Sequence, residues 1–141
     1  MSTTPRPLSA IRASEVMHAP IVLCDPTTDL HHVASRMAAH QIHAVVVDGN
    51  DHRHAGARDG LAIVSADDLV RVAVQRGPGL TAAAIPSDPV VYVDVDTPLS
   101  TVASILSREG RSHALVTDAG GPVGVLSSLD VVAALAGLSA F

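Results

Sequence analysis

Two short stretches each place a hydroxyl and a carboxylate three residues apart, directly after an apolar run. Ser127 and Asp130 follow a run that contains Gly124, and Ser65 and Asp68 follow a second run. Such a run is typical of a buried strand, and the serine is typical of the N-cap of the next helix. The free amides of a helix N-terminus suit a phosphate, and a carboxylate can accept hydrogen bonds from two adjacent hydroxyls. The pattern can therefore hold a phosphate and a sugar.

A helix cap by itself accounts for the same residues. A serine at the N-cap and an acid three residues later form a capping box, in which each side chain satisfies a free backbone amide. A cap and a binding site are compatible, so both interpretations stay open at this point.

The composition predicts a folded chain with an aliphatic core. Of 141 residues, 48% are hydrophobic and 16% are charged, which argues against disorder. Tyr92 and Phe141 are the only aromatic residues, so a flat ligand would lie between aliphatic side chains. The net charge is −5 and the nine basic residues, all Arg, form no stripe, which argues against nucleic acid as a partner.

The cysteine content and the hydropathy favour a cytoplasmic chain. Cys24 is the only cysteine, so an intramolecular disulfide and a cysteine-based zinc site are excluded, and we expect this side chain to be buried. The first 13 residues lack the apolar segment of a signal peptide. No apolar run approaches the roughly 20 residues that span a bilayer, so we expect no membrane partner.

Hydrophobic spacing predicts two rounds of one element order: helix, strand, helix, strand, strand, helix. The two long helices are predicted over residues 30–40 and 99–110, with apolar faces made by Leu30, Val33, Ala34 and Met37 and by Leu99, Val102, Ala103 and Leu106. The predicted strands lie at 21–23, 43–47, 61–64, 90–93, 113–117 and 123–126. This order implies a mixed α+β fold.

The two rounds also align residue by residue, which indicates an internal duplication. Leu30 matches Leu99 at an offset of 69, His43 is matched to His113 at 70, and Ser65 matches Ser127 at 62. The offset falls from 70 to 62 between these positions, which indicates eight extra residues in the first repeat, in a polar loop at about 50–60. We predict a flexible tail over 1–12, a first repeat over 13–77 and a second over 78–141.

This doubled pattern resembles the CBS domain pair, also called a Bateman module. The resemblance covers nearly the whole chain, from about residue 13 to residue 137, and depends on the order of several weak motifs that occur twice. The motifs are the segments 14–17, 20–22 and 89–91, the helix-to-strand passages 40–48 and 110–118, and the two Ser-x-x-Asp junctions.

The resemblance implies tandem βαββα-like CBS repeats that are related by a pseudo-two-fold axis and that often dimerise. Many members bind adenine nucleotides or related adenosine compounds in clefts between the two units. In the family's motif the aspartate holds the ribose hydroxyls and the Ser or Thr faces phosphate. These roles fall on Asp130 and Ser127, and on Asp68 and Ser65.

The same resemblance implies further ligand contacts. The motif's leading glycine is present as Gly124, whereas the first repeat has Ala62. The residues after the proline that precedes each first strand would line the base, and here they are Ile21, Val22, Val90 and Val91.

Some members place a basic residue for the phosphates where His43 and His113 stand in this chain. Histidine is a weaker cation than phosphate-binding members usually supply. Because only the second repeat keeps the full motif, the sequence favours the junction at Ser127 and Asp130 if one site alone is occupied.

Metal binding has less support. His52, His54 and Asp51 lie together in the polar loop, and His40 and His43 are three residues apart at a helix end. Zinc needs three or four ligands that converge, and spacing alone does not show this. We expect scattered surface histidines and no metal site.

Catalysis also has little support. Ser127, Asp130 and His113 have the residue types of a triad, but the same types recur in the other repeat, as expected of a structural set. We expect no enzyme activity and no required cofactor.

The leading hypothesis is a regulatory module that binds an adenosine-containing nucleotide, of the AMP, ADP, ATP or S-adenosylmethionine type, and signals through a protein partner. The alternative is a ligand-free dimerisation or scaffold domain, which the two histidines, Ala62 and the acidic charge favour. A homodimer is expected in either case.

Overall fold

The computed structural model describes residues 6–48, 61–75, 79–85 and 89–137. Within these ranges the chain forms two three-stranded sheets and five α-helices. The strands are β1 (Leu23–Cys24), β2 (Ala44–Asp48), β3 (Leu61–Ser65), β4 (Tyr92–Asp94), β5 (His113–Asp118) and β6 (Gly121–Ser127). The helices are α1 (Ala13–Val16), α2 (Leu30–His40), α3 (Ala66–Gln75), α4 (Leu99–Glu109) and α5 (Ser128–Leu135). The predicted α+β class is confirmed, and so is the predicted element order, except that the helix predicted at the start of the second round is a 3-10 turn, Ala82–Ala84.

Both sheets have the same topology. The first strand pairs parallel with the second, and the second pairs antiparallel with the third, in the orders β1-β2-β3 and β4-β5-β6. Parallel neighbours need a crossover connection, which α2 supplies in one sheet and α4 in the other. The middle strand β2 is buried at four of its five residues and β5 at three of its six, where the runs of valine and leucine predict burial.

The long helices α2 and α4 pack through the residues that the spacing identified. Leu30, Val33 and Met37 are buried on α2, and the equivalent Leu99, Val102 and Leu106 are buried on α4. Ala34, which was also assigned to the apolar face, is exposed.

The ends of these helices follow ordinary capping chemistry. Asp29 caps α2 by accepting a hydrogen bond from the backbone amide of His32. Gly110 ends α4 in the left-handed conformation, with a φ of 64°, which glycine adopts at little cost. Gln41 holds the same conformation after α2, with a φ of 53°.

The chain divides into two compact units that do not coincide with the sequence repeats. The terminal unit comprises Met1–Ile21 and Val91–Phe141, and the central unit is Val22–Val90. The boundaries predicted from the sequence, 13–77 and 78–141, describe the repeats instead. The segment that begins each repeat is packed in the unit formed by the other repeat.

Equivalent backbone hydrogen bonds hold these two segments, which we call the first leader (residues 11–18) and the second leader (residues 80–85). In the terminal unit the amide of Ala13 donates to the carbonyl of Thr97, at 2.9 Å. In the central unit the amide of Ala82 donates to the carbonyl of Thr28, at 2.7 Å. Each leader therefore contributes to the core of the unit that contains the sheet of the other repeat.

The region predicted as a flexible tail over 1–12 is packed where the structure describes it. Residues Leu8–Ala10 form a 3-10 turn, Leu8 packs against the terminal core, and Ile11 is buried in that core. Arg6 pairs with Glu15 of α1 at 2.9 Å. The amide of Arg12 and the side chain of Arg6 both hydrogen-bond the Glu15 carboxylate and lower its pKa.

Gly124 lets the first leader lie against β6. A Cβ built at Gly124 would stand 2.6 Å from Sδ of Met17 and 3.0 Å from the carbonyl oxygen of His18. At this point His18 and Val125 exchange two backbone hydrogen bonds, of 2.8 and 3.0 Å. Glycine is thus needed here for close packing, whatever other role it has.

We therefore expect Gly124→Ala to lower the free energy of unfolding by about 1–3 kcal/mol, the usual cost of overpacking a filled site. Urea denaturation measures this change. Gly120→Ala is the matched control, because a Cβ there meets no atom within 4 Å. Equal stability of the two variants would contradict the packing role of Gly124.

Candidate ligand-binding junctions

The Ser127–Asp130 pair, which we call the terminal junction, is a capping box at the start of α5. The backbone amide of Ser127 donates to Oδ2 of Asp130 at 2.8 Å, and the backbone amide of Asp130 donates to Oγ of Ser127 at 3.3 Å. The Ser127 hydroxyl also donates to Oδ2 of Asp130, at 3.1 Å. The helix cap predicted from the sequence is confirmed, and it uses only one oxygen of the carboxylate.

The second oxygen of Asp130 belongs to a different contact. Oδ1 lies 2.9 Å from Nε2 of His18 in the first leader. The Asp130 side chain is only 1% exposed, whereas that of His18 is 36% exposed. His18 thus brings a ring nitrogen from the first leader to this buried oxygen.

The Ser65–Asp68 pair, which we call the central junction, repeats the same cap at the start of α3. The amide of Ser65 donates to Oδ2 of Asp68 at 2.9 Å, and the amide of Asp68 donates to Oγ of Ser65 at 3.2 Å. Oδ1 of Asp68 accepts a hydrogen bond from Nη1 of Arg71, at 3.1 Å. Here too, one carboxylate oxygen serves the cap and the other faces a side chain.

The two junctions differ in access. The Asp68 side chain is 17% exposed and its partner Arg71 is 55% exposed, so this ion pair lies at the surface. Asp130 is buried. Exposed ion pairs of this kind contribute little, typically about 0.2–1 kcal/mol, and they open readily. The central junction therefore presents the more accessible carboxylate oxygen.

Sequence reasoning did not assign His18 or Arg71. Arg71 could have been found, since it lies three residues after Asp68 on the same helix, at a spacing that brings side chains together. His18 is 112 residues from Asp130, and nothing in the local pattern of either residue signals the contact.

The four residues predicted to line a base are all half-buried, and they fall on both sides of the boundaries between the units. Ile21 and Val91 belong to the terminal unit, and Val22 and Val90 to the central unit. Val22 and Val91 pack against the cores of their units, and their carbonyls accept hydrogen bonds from the strands β2 and β5.

The structure corrects the predicted equivalence of His43 and His113. In the backbone register, Ala44 pairs with Ser65 as His113 pairs with Ser127. The repeats therefore match at an offset of 69 in these strands, not 70, and His43 lies one residue before the position of His113.

A shift of one residue turns a strand side chain to the opposite face. The two histidines accordingly differ in surroundings: His43 is exposed, whereas His113 is half-buried with its Nδ1 2.9 Å from Oγ of Ser112. They do not form an equivalent pair of phosphate contacts.

Among the remaining candidate groups, Cys24 is buried as expected, and this burial raises the pKa of its thiol. Asp29 has a lowered pKa, because the backbone amide and then the ring of His32 hydrogen-bond its carboxylate. An open cleft of about 550 Å³ lies along the exposed side of α2 and shares no residue with either junction.

Over the described ranges, no group of three His, Cys, Asp or Glu side chains is placed to hold a metal ion. His52 and His54, considered above as ligands, lie outside those ranges. No helix within the same ranges is long and apolar enough to cross a bilayer.

The family profile of the CBS domain matches the chain twice, at residues 13–75 and 82–137. With the duplicated fold and the duplicated junction, this match shows that the chain belongs to the CBS domain family. Among curated proteins, no sequence matches this chain.

Solved structures of CBS domain pairs share the fold. One, determined with 5′-methylthioadenosine and S-adenosyl-L-methionine, has a TM-score of 0.74 and 19% identity, over 90% of this chain and 97% of its own. The CBS domain of a bacterial CNNM/CorC family Mg²⁺ transporter, determined with ATP, has a TM-score of 0.72 and 20% identity, over 93% and 91%. An uncharacterised conserved protein from Pyrococcus horikoshii has a TM-score of 0.74 and 18% identity, over 92% and 94%.

We expect His18→Ala to lower the free energy of unfolding by about 1–3 kcal/mol, because it leaves an oxygen of the buried Asp130 carboxylate without its partner. Urea denaturation measures the effect. His43→Ala is the control, since it also replaces a histidine by alanine, but at an exposed position. A loss no greater than that of the control would show that the His18–Asp130 contact adds no stability.

Proposed function

We propose that this protein is a regulatory module that binds an adenosine-containing nucleotide, of the AMP, ADP, ATP or S-adenosylmethionine type, and passes the binding event to a protein partner. The two Ser-x-x-Asp junctions supply the ribose acceptors and the phosphate-facing hydroxyls. No catalytic role is assigned to either junction.

The observation that carries this proposal is that each aspartate uses its two carboxylate oxygens for different contacts. A capping box needs one carboxylate oxygen, and both Asp68 and Asp130 use Oδ2 for it. Oδ1 is held by a side chain in each case, Arg71 or His18. A ribose hydroxyl can replace such a side chain as the donor without disturbing the helix cap.

The solved relatives support the class of ligand. A CBS domain pair was determined with 5′-methylthioadenosine and S-adenosyl-L-methionine, and a transporter CBS domain with ATP. These ligands share an adenosine, so an acceptor for ribose hydroxyls is the feature that all of them can use.

We assign the first ligand to the central junction, although the sequence motif is more complete at the terminal one. Asp68 is partly exposed and Asp130 is buried. Arg71 also brings a guanidinium to the central junction, where the sequence offered only histidine as a cation for the phosphates. Ala133 occupies the position on α5 that Arg71 occupies on α3.

We expect Asp68→Asn to weaken nucleotide binding at least about tenfold, because hydrogen bonds to a charged acceptor contribute roughly 1.5–3 kcal/mol. The amide oxygen can still accept from Ser65, so the helix cap is kept. Isothermal titration with AMP, ATP and S-adenosylmethionine measures the affinity of protein first freed of bound small molecules.

The matched control is Asp67→Asn, which removes the same charge from the neighbouring, exposed position of the first turn. Wild-type affinity in Asp68→Asn, or equal losses in the two variants, would rule out a ribose contact at Asp68. Failure of every nucleotide to bind the wild-type protein would overturn the proposed function itself.

A second candidate function, a dimerisation scaffold, is favoured by exposed apolar side chains on the helices that follow the junctions. On α5, Leu129, Val132 and Leu135 are 44%, 55% and 59% exposed. On α3, Val70 and Val74 are 64% and 81% exposed. Large apolar side chains grouped on helices mark interaction surfaces, and a second copy of this chain offers the same surface in return.

We expect Val132→Glu to weaken self-association at least about tenfold, since it places a charge among the exposed apolar side chains of α5. Sedimentation equilibrium measures the dimer constant. Thr101→Glu, an equal change of charge at an exposed position of α4, serves as the control. A wild-type protein that is monomeric at high concentration, or a variant that dimerises as tightly, would refute this surface as the dimer contact.

A further inference from the structure

We infer that His18 is an internal occupant of the ribose acceptor at Asp130, so that the terminal junction is latched more firmly than the central junction. This inference rests on the proposed function, because it concerns the regulation of the same acceptors. It makes the two junctions unequal in affinity, although their Ser-x-x-Asp pairs are equivalent.

The latch is the contact between His18 and Oδ1 of Asp130, the oxygen that a ribose hydroxyl would use. Oδ2 of Asp130 is taken by the amide and the hydroxyl of Ser127, at 2.8 and 3.1 Å. Oδ1 is left for a ligand hydroxyl, and Nε2 of His18 lies 2.9 Å from it. Because the carboxylate is only 1% exposed, a ribose reaches it only when the imidazole withdraws.

The backbone fixes His18 at this place. His18 and Val125 of β6 exchange two hydrogen bonds, and Met17 packs over the bare Cα of Gly124. The backbone of the first leader therefore places the imidazole beside Asp130.

The imidazole also has room to leave. Its side chain is 36% exposed, so rotation toward solvent is open to it while the backbone of the leader stays in place. A ligand hydroxyl that then donates to Oδ1 keeps the buried acceptor satisfied, which makes the change an exchange of one donor for another.

Among the residues that the structure describes, the central junction has no comparable lock. Its Oδ1 is paired with Arg71, an exposed side chain on the same helix, and such pairs are weak. A nucleotide therefore fills the central junction first, and the terminal junction fills only when the His18 side chain gives up its contact with Asp130 of α5. Occupation of the terminal junction is thereby coupled to the orientation of the His18 side chain.

The test isolates the terminal junction by removing the central one. Isothermal titration with AMP compares Asp68→Asn, the double variant Asp68→Asn/His18→Ala, and a triple variant that adds Asp130→Asn. We expect AMP binding to be at least tenfold tighter in the double variant than in Asp68→Asn, and to be lost again in the triple variant.

The outcomes separate the two proposals. If AMP binds the wild-type protein but the double variant binds no better than Asp68→Asn, the latch is wrong and the proposed function stands. If AMP, ATP and S-adenosylmethionine all fail to bind the wild-type protein, the proposed function fails and the latch fails with it.

A second measurement covers the case in which removal of His18 unfolds the terminal unit. The imidazole nitrogen resonances of His18 are followed by NMR in the wild-type protein during titration with the same nucleotide. We expect them to move only in a second, weaker phase of binding, after the amide signals around Asp68 have saturated. Movement of both sets in one phase, or saturation of the Asp130 amide without movement of His18, would overturn the latch.

Discussion

The exchange of leaders between the repeats is the constraint on which the rest of the structure depends. The amide of Ala13 bonds to Thr97, and the amide of Ala82 bonds to Thr28, so each leader closes the core of the other repeat's unit. The core of each unit includes buried residues of a leader that belongs to the other repeat. The same exchange carries His18 to β6 and to the buried carboxylate of Asp130.

A duplicated motif has thereby acquired two different environments. The local chemistry of the caps is the same, with a serine and an aspartate satisfying each other's amides. The second carboxylate oxygen is where the copies diverge, because a remote histidine meets one and a neighbouring arginine meets the other. Two carboxylates with equivalent caps thereby differ in burial and in side-chain partner.

Much of the fold could be predicted from the sequence, because its elements follow local rules. The buried faces of α2 and α4, the cap at Ser127 and the order of the strands all follow from spacing and from cap residues. The residue-by-residue equivalence of β2 in the first repeat and β5 in the second could not be predicted as well. Aligning His43 with His113 matched residue types, but the backbone pairs Ala44 with Ser65 and His113 with Ser127. Hydrogen-bond register depends on both strands of a pair, which a comparison of single segments does not include.

The sequence by itself determined the duplication, the family and the two Ser-x-x-Asp pairs, because each is written in residues that lie close together along the chain. Only the tertiary structure decided which of the two carboxylates is buried. Asp68 and Asp130 read alike in sequence, yet one is 17% exposed and the other 1%. The physical reason is that burial and hydrogen-bond partners depend on what the fold brings from a distance, and the first leader brings His18 across more than a hundred residues to Asp130.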